Sequence, residues 1–586
     1  MEQGGLSRWL LIGLLVMLGV FVVPRWFQGD PEPQKLLFEP DRTPAKVSEQ
    51  HCELTTDTFR AVLSSQGGSI ERFQLLQPKY QSHGAPVDLS TTPDVPMRQQ
   101  LQFGWRNPSA HDAAQQAPFE KDPELFYKAP YWQVAWDIVP FKLEKAEPHA
   151  CRFVYKDERV ELTKIVSTTG RPYELETVAR IKNLADKPLR HALTVNTAAW
   201  RTTKEVSGSM FTVSPWITHT ECVAPDGAAT RLKPDAFEGK DFADSHFAPN
   251  ELHRGDWYDV AGRTDLAGVS NAYFSHAVLP LGGPVEPRCQ MQIEEWGKKG
   301  DPQAGAMYRA RLAYPRVDLK PNQQVEYKVL TYVGPKERAV LAAAGGGQRQ
   351  LDELIDLGFF SVIAKILVAF LLKVYSVIPN WGIAIVVLTI TARVLLFPLS
   401  IPMIQSSLKM REIKPEMDAL NEKFKDDPQQ RGLAQMELWR KHKINPVKGC
   451  LPQLATLPVW LALYTSLQTA VELYNIPFLW FPNLAAPDPL FILPLIIGST
   501  SYVQQKLMPM TGGDPAQQKM MLYMMPAMFT VFMLFLPAGL GVYMFTNSVL
   551  GIAQQMVVES VIKRRNAARE AAPSTPASVG TKKSQA

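Results

Sequence analysis

Trp381-Gly-Ile-Ala-Ile-Val-Val-Leu-Thr-Ile-Thr-Ala-Arg393-Val-Leu-Leu-Phe-Pro398-Leu399 decides how this chain is read. The run is apolar and continues to about Met403, long enough for a helix across a ~30 Å hydrocarbon core. Arg393 sits near its middle. A central arginine costs roughly 2.5–3.5 kcal/mol on insertion scales. A chain keeps such a residue where it faces a wet cavity or a partner charge, so Arg393 marks a candidate functional site. The structural alternative is a helix lock, with Arg393 paired to a buried carboxylate. The other apolar segments carry no Asp or Glu within their cores; Glu472 and Glu559 stand at segment ends.

Working outward, four more apolar segments follow: about Cys450–Val471, Leu490–Met508, Met520–Leu536 and Leu540–Ile562. Pro537-Ala-Gly539 makes the last connection a tight turn. At the other end, Trp9–Val23 is flanked by Arg8 and by Pro24-Arg25 and lacks a small-residue cleavage site, which reads as an uncleaved signal anchor within 1–27. The expectation is six spans, five of them in a core at 381–562. Leu357–Ile378 is apolar but carries Lys365 and Lys373 on one side of a helix, so 357–378 is expected to lie on the membrane surface. Ten Lys and Arg residues between Lys409 and Lys448, and Lys563, Arg564, Arg565 and Arg569, place that loop and the C-terminus in the cytoplasm by the positive-inside rule. The region before the core then lies outside.

That region, 28–350, has no apolar run of membrane length. The chain is 46% hydrophobic and 20% charged, so its apolar residues are segregated into the segments above. A Pro-rich linker (Pro24, Pro31, Pro33, Pro40, Pro44) leads into strand patterns. Tyr173–Lys182 and Val325–Val333 alternate with period two. Gly67-Gly68, Pro225-Asp-Gly227 and Gly282-Gly-Pro284 supply turns. The length suggests an enlarged β-sandwich. Cys52, Cys151, Cys222 and Cys289 allow two disulfides in three connectivities, or four buried thiols.

The core segments are rich in hydrogen-bonding side chains. Thr389, Arg393 and Ser400 fall on one helical face. Gln453, Thr456, Trp460, Tyr464 and Gln468 form a second stripe; Tyr543, Asn547 and Gln554 form a third. Such stripes either glue helices together or line a hydrophilic groove. Met508, Met510, Met520, Met521, Met524, Met525, Met528 and Met533 cluster nearby, suited to a slide for varied apolar helices or to gap-filling. In the basic loop, Met410, Ile413, Met417, Leu420 and Phe424 repeat as a seam, opposite a stripe of Leu433, Met436 and Trp439. This predicts a helical hairpin at 404–446 with a kink at Pro415. The tail, 563–586, is basic and is expected to be disordered.

Several local motifs carry a family resemblance. They are Asn380-Trp381-Gly382, Arg393 with Phe397-Pro398-Leu399, Lys409-Met410-Arg411 with Pro415, Asn445-Pro446-Val-Lys-Gly449-Cys450-Leu-Pro452, and Phe535-Leu-Pro537-Ala-Gly539-Leu540. Together they resemble the YidC membrane protein insertases. The match runs from about Phe359 to Ile562; a thinner one, through Gly67-Gly68, Tyr273-Phe274 and Val333-Gly334-Pro335, reaches the region before it. The resemblance implies a polytopic α-helical protein of the bacterial inner membrane, with six spans, a five-span insertase core and an inserted all-β periplasmic domain, a β-supersandwich similar to sugar-mutarotase folds.

It implies no catalysis and no cofactor. The implied client groove holds Arg393, Thr389, Ser400, Gln453, Thr456, Tyr464, Tyr543 and Asn547, beside a slide of Met521, Met524, Met525 and Met528. The implied partners are nascent membrane proteins, the Sec translocon, ribosome or targeting machinery on the basic hairpin and tail, and lipids. Where the family often has a second aromatic after Tyr543, this chain has Met544. The chain has no G-x-x-x-x-G-K-[ST] phosphate loop. A small-solute transporter would show inverted repeats, which are not seen. A carbohydrate activity in the outer domain would draw on His191, His219, His246, His253 or His276, none of them in a diagnostic spacing.

Overall fold

The computed structural model describes residues 48–82, 84–91, 102–105, 140–206, 216–233, 257–296, 304–347, 351–424, 427–442, 459, 461–507 and 515–570. They divide chiefly into a β-rich unit ending at Leu354 and a helical unit beginning at Ile355.

In the β unit, the alternating stretch around Leu175 forms the strand Glu174–Asn183, with Leu175, Thr177, Ala179, Ile181 and Asn183 buried. It pairs antiparallel with Gln324–Pro335, Ile181 opposite Val325. The pair lies inside a nine-stranded sheet. A five-stranded sheet containing Leu193–Thr202, Gly305–Ala313 and Arg288–Trp296 packs against it, and Thr197 Oγ1 donates across the gap to the His276 carbonyl at 3.4 Å. Period-two patterning produces this sandwich because each strand has one face to bury.

Two disulfides select one of the three possible pairings. Cys222–Cys289 joins His219–Val223 of the nine-stranded sheet to Arg288–Trp296 of the five-stranded one. Cys52–Cys151 joins a three-stranded sheet, through His51–Thr55, to Ala150–Lys156. At the Gly67-Gly68 turn both φ angles are positive, 73° and 54°. A Cβ on Gly68 would stand 2.9 Å from Cδ of Lys164, whose ammonium donates to the Gly67 carbonyl at 3.1 Å. Burial pushes the Lys164 pKa well below the usual lysine range.

The helical unit begins with α1, Ser361–Val377. It buries Ala364, Val368 and Leu371 and leaves Val362, Ile366 and Val377 exposed. Helix α2, Trp381–Leu395, starts where Asn380 Oδ1 accepts from the Ile383 amide at 3.1 Å. Tyr375 stacks on Trp381 with centroids 4.3 Å apart. Helices α3 (Phe397–Glu412), α4 (Lys414–Lys423) and α5 (Pro428–Lys441) follow, then a helical stretch at 461–468. Helices α6 (Ile492–Leu507), α7 (Pro515–Met533) and α8 (Ala538–Glu570) complete the unit. Buried Asp488 accepts from the amides of Leu490 and Leu493, at 3.0 and 2.7 Å, where α6 begins. Ile385, Leu388, Leu463, Leu467, Leu493, Ile497, Leu536 and Leu540 belong to one buried cluster.

The expected six-span architecture, and with it a multi-pass inner-membrane location with the termini inside and the large domain outside, is corrected here. Among the described residues no helix is long and apolar enough to cross a membrane. The reason is local. The Arg393 run is two helices, since α2 stops after 15 residues and Pro398 sits in the first turn of α3. Fifteen residues span about 22 Å, short of a ~30 Å core. Helix α6 has 16 residues. Helix α7 has 19 but begins Pro-Ala-Gln-Gln-Lys, and α8 has 33 but mixes Gln554, Gln555, Glu559 and Lys563 into its length. The anchor expected at Trp9–Val23, and residues 450–458 and 460 of the segment expected from Cys450, lie outside the described residues.

Three smaller readings also change. Pro415 starts α4 rather than kinking one arm, and the hairpin packs Ile413, Met417 and Leu438 with Met410, Leu420 and Trp439. Leu433 and Met436, expected on that seam, are 59% and 55% exposed. Helix α8 runs on through Lys563 to Glu570, where a disordered tail was expected to begin. Ala, Arg and Glu are all good helix formers.

Candidate functional site

The site centres on the last turn of α2. Arg393 reaches across to α8, where its Nε donates to Asn547 Oδ1 at 2.6 Å and its Nη2 to the Asn547 backbone carbonyl at 2.8 Å. Both partners are neutral. Among the described residues no carboxylate pairs with Arg393. Tyr543, one turn before Asn547, is buried and lies within electrostatic reach of the guanidinium. Gly551, one turn after, leaves room on the other side. A Cβ there would stand 3.0 Å from Arg393 Nη2 and 3.3 Å from Nε2 of Gln504 on α6.

The structure thus brings together Arg393, Tyr543 and Asn547 of the candidate set. Thr389 is buried one turn before Arg393, and its hydroxyl is bonded to the Ile385 carbonyl at 2.7 Å. Ser400 does not share the Arg393 helix. It lies on α3 and donates to the Leu396 carbonyl at 3.2 Å. The 3.6-residue count that aligned it with Arg393 fails because the helix breaks between them. Tyr464 accepts from Gln468 Nε2 at 2.6 Å and packs against the buried cluster. Gln453 and Thr456 lie outside the described residues. Of the methionines, Met524 and Met528 are exposed one turn apart on α7 with Tyr523 and Val531; Met525 is half-buried. Met521 lies on the same helix.

Sequence reasoning missed Gly551 and Gln504. The signal for Gly551 was the spacing Asn547, Gly551, Gln555 on one helical face. A second polar junction also went unread. Arg411 donates from Nη1 to Glu559 Oε1 at 3.2 Å and from Nη2 to the carbonyl of Leu507, the last residue of α6. Gln555 Nε2 donates to that same carbonyl at 3.0 Å, and Lys563 pairs with Glu559 at 2.9 Å.

In the β unit the histidines are core groups. His191 Nε2 lies 2.8 Å from the Tyr327 hydroxyl, and His276 Nδ1 lies 3.3 Å from the Ala198 carbonyl. Burial pushes their pKa values down to about 4 and about 3. His219 stands 3.6 Å from Glu221, to which Arg231 Nε donates at 3.1 Å. Burial works to raise the Glu221 pKa, yet His219, Arg231 and Lys336 outweigh it and hold it at about 2. His246 and His253 lie outside the described residues.

Comparison with known proteins gives two family matches. A model described as the 60Kd inner membrane protein covers residues 373–566, and one described as the YidC periplasmic domain covers 51–370. The chain is 34% identical over 514 residues to the membrane protein insertase YidC of Anaeromyxobacter dehalogenans (strain 2CP-C), spanning 87% of this chain and 85% of that protein. It is 30% identical over 509 residues to the membrane protein insertase YidC of Citrifermentans bemidjiense, spanning 86% and 85%. A solved structure of an active YidC insertase with its first transmembrane domain resolved covers 92% of this chain and 98% of its own at 16% identity. Its TM-score is 0.35.

Proposed function

We propose, for a chain that belongs to the YidC family of membrane protein insertases and chaperones, that Arg393 receives the acidic segment of a client while the client's apolar segment slides along exposed faces of the helical unit. Members of this family are not catalysts, and this chain is not an enzyme. One observation carries the reading: among the described residues, the guanidinium of Arg393 is hydrogen-bonded only to a neutral amide and a carbonyl. Its charge is therefore uncancelled and open to a client carboxylate, which loses its water as it leaves the aqueous phase and needs a counter-charge. Exposed Met524 and Met528 offer an adaptable apolar surface to the segment that follows. Transfer of that segment into lipid supplies the driving force, at about 25 cal/mol per Å² of apolar surface removed from water.

The partners in this reading are nascent membrane proteins, the Sec translocon, lipids, and ribosome or targeting machinery. The last would bind through the basic residues between Lys409 and Lys448 and through 563–586. The test is depletion in cells, complemented with wild type, Arg393→Ala or Arg393→Lys, scoring insertion of short membrane proteins with acidic tails. The expected order is wild type, then Arg393→Lys, then Arg393→Ala. Full complementation by Arg393→Ala for acidic-tail clients removes the electrostatic role.

A further inference from the structure

Resting on that reading of Arg393, we propose that Asn547 and Gly551 are positioning residues that hold the arginine charged, oriented and open at one edge. That edge sets the preference for clients bearing a carboxylate.

The geometry divides the guanidinium into two edges. Nε and Nη2 lie along its side edge, and both donate to Asn547, one to the side-chain oxygen at 2.6 Å and one to the backbone carbonyl at 2.8 Å. Two bonds to one residue fix both the plane and the direction of the group. The end edge, Nη1 with the second hydrogen of Nη2, is left over. A guanidinium edge presents two parallel N–H donors that match the two oxygens of a carboxylate. The fixed side edge therefore aims a bidentate carboxylate site.

The partner's chemistry keeps that site charged. An amide accepts a hydrogen bond without adding charge. An aspartate at 547 would accept the same bonds and cancel the arginine, leaving little attraction for a client carboxylate.

Gly551 explains how a side chain from α2 reaches a helix carbonyl at all. In a helix the Asn547 carbonyl is turned toward residue 551, and a side chain at 551 leans back over the preceding turn. Without a Cβ that turn stays open. With one, the Cβ would sit 3.0 Å from Nη2 and 3.3 Å from Gln504 Nε2, so the guanidinium and the amide would both have to shift. Gln504, on α6, stands against the same glycine as a second neutral neighbour. Two neutral residues of one helix, Asn547 and Gly551, thus seat the cation.

The test measures insertion of three versions of one client, with acidic, neutral or basic tails, by the full-length protein reconstituted in vesicles. Asn547→Asp should lower the acidic-to-basic preference by about tenfold, the loss expected when a charge-assisted pair is cancelled. A structural defect would lower all three clients together and leave the ratio unchanged. Adding Asn547→Ala to Arg393→Ala should not lower the ratio further, because Asn547 acts only through that arginine. Gly551→Ala leaves every charge intact and carries the test if Asn547→Asp does not fold. It should lower the ratio a few-fold by displacing Nη2. An unchanged ratio in the folded variant of either kind overturns the proposal, provided Arg393→Ala alone lowers it. If Arg393→Ala leaves the ratio unchanged, the client-facing role of the arginine falls first.

Discussion

The two units bury charge in opposite ways. In the β unit, Glu221 is fully buried, but Arg231 donates to it at 3.1 Å and Ser270 donates to its other oxygen. In the helical unit, the guanidinium of Arg393 has an amide and a carbonyl and no carboxylate among the described residues. A buried ion with its counter-ion is closed: its field is used within the fold. An ion held by neutral groups keeps its field for something else. The contrast separates a charge that serves the architecture from one proposed to serve a client.

The largest effect expected from this contrast is on stability. Arg231→Ala leaves Glu221 buried without its guanidinium and should destabilise the β unit by about 3–5 kcal/mol. Arg393→Ala removes a cation that no buried anion among the described residues depends on. It should cost the helical unit about 1 kcal/mol, the scale of ordinary hydrogen bonds. Region-resolved hydrogen exchange on the full chain reads both. Equal losses in the two variants would break the comparison.

A smaller effect separates the units by pH. His276 and His191 titrate near 6.5 when unfolded, but burial lowers them to about 3 and about 4 in the fold. Between those limits the unfolded chain binds more protons. The stability they contribute is therefore full above about pH 6.5 and falls as the pH drops toward 4. Glu221, held at about 2, adds a second loss below its unfolded value, beginning near pH 4.5. Melting of the β unit followed from pH 8 to pH 4 should show this decline. A flat profile would mean that these imidazoles are solvated rather than buried.

Much of the β unit was legible because period-two alternation is a strong signal. Leu175, Ala179 and Ile181 point inward in both the sequence and the fold. The disulfide pairing was not legible, since Cys222 and Cys289 meet only after two sheets have stacked. In the helical unit Arg393 stood out as a polar group in an apolar run, and Asn547 stood out in a polar stripe. Their contact was not readable, because nothing in either segment says which helices adjoin. Ser400 was misplaced by counting a helical period across Pro398. Leu433 and Met436 were placed on a seam by periodicity, whereas Leu438 fills it. The six spans failed for a related reason. Apolar composition was read as continuous helix, while the helices that form are short or interrupted by polar residues. Gly551 was missed because its contribution is the absence of atoms.

The central claim is that the uncancelled charge of Arg393 selects clients by the sign of their tails. Charge reversal tests it most directly. Insertion of one client with an Asp-bearing or a Lys-bearing tail is measured in reconstituted vesicles with wild type and with Arg393→Glu. The account predicts that wild type favours the Asp tail and that Arg393→Glu favours the Lys tail. The same order of preference in both proteins would contradict it.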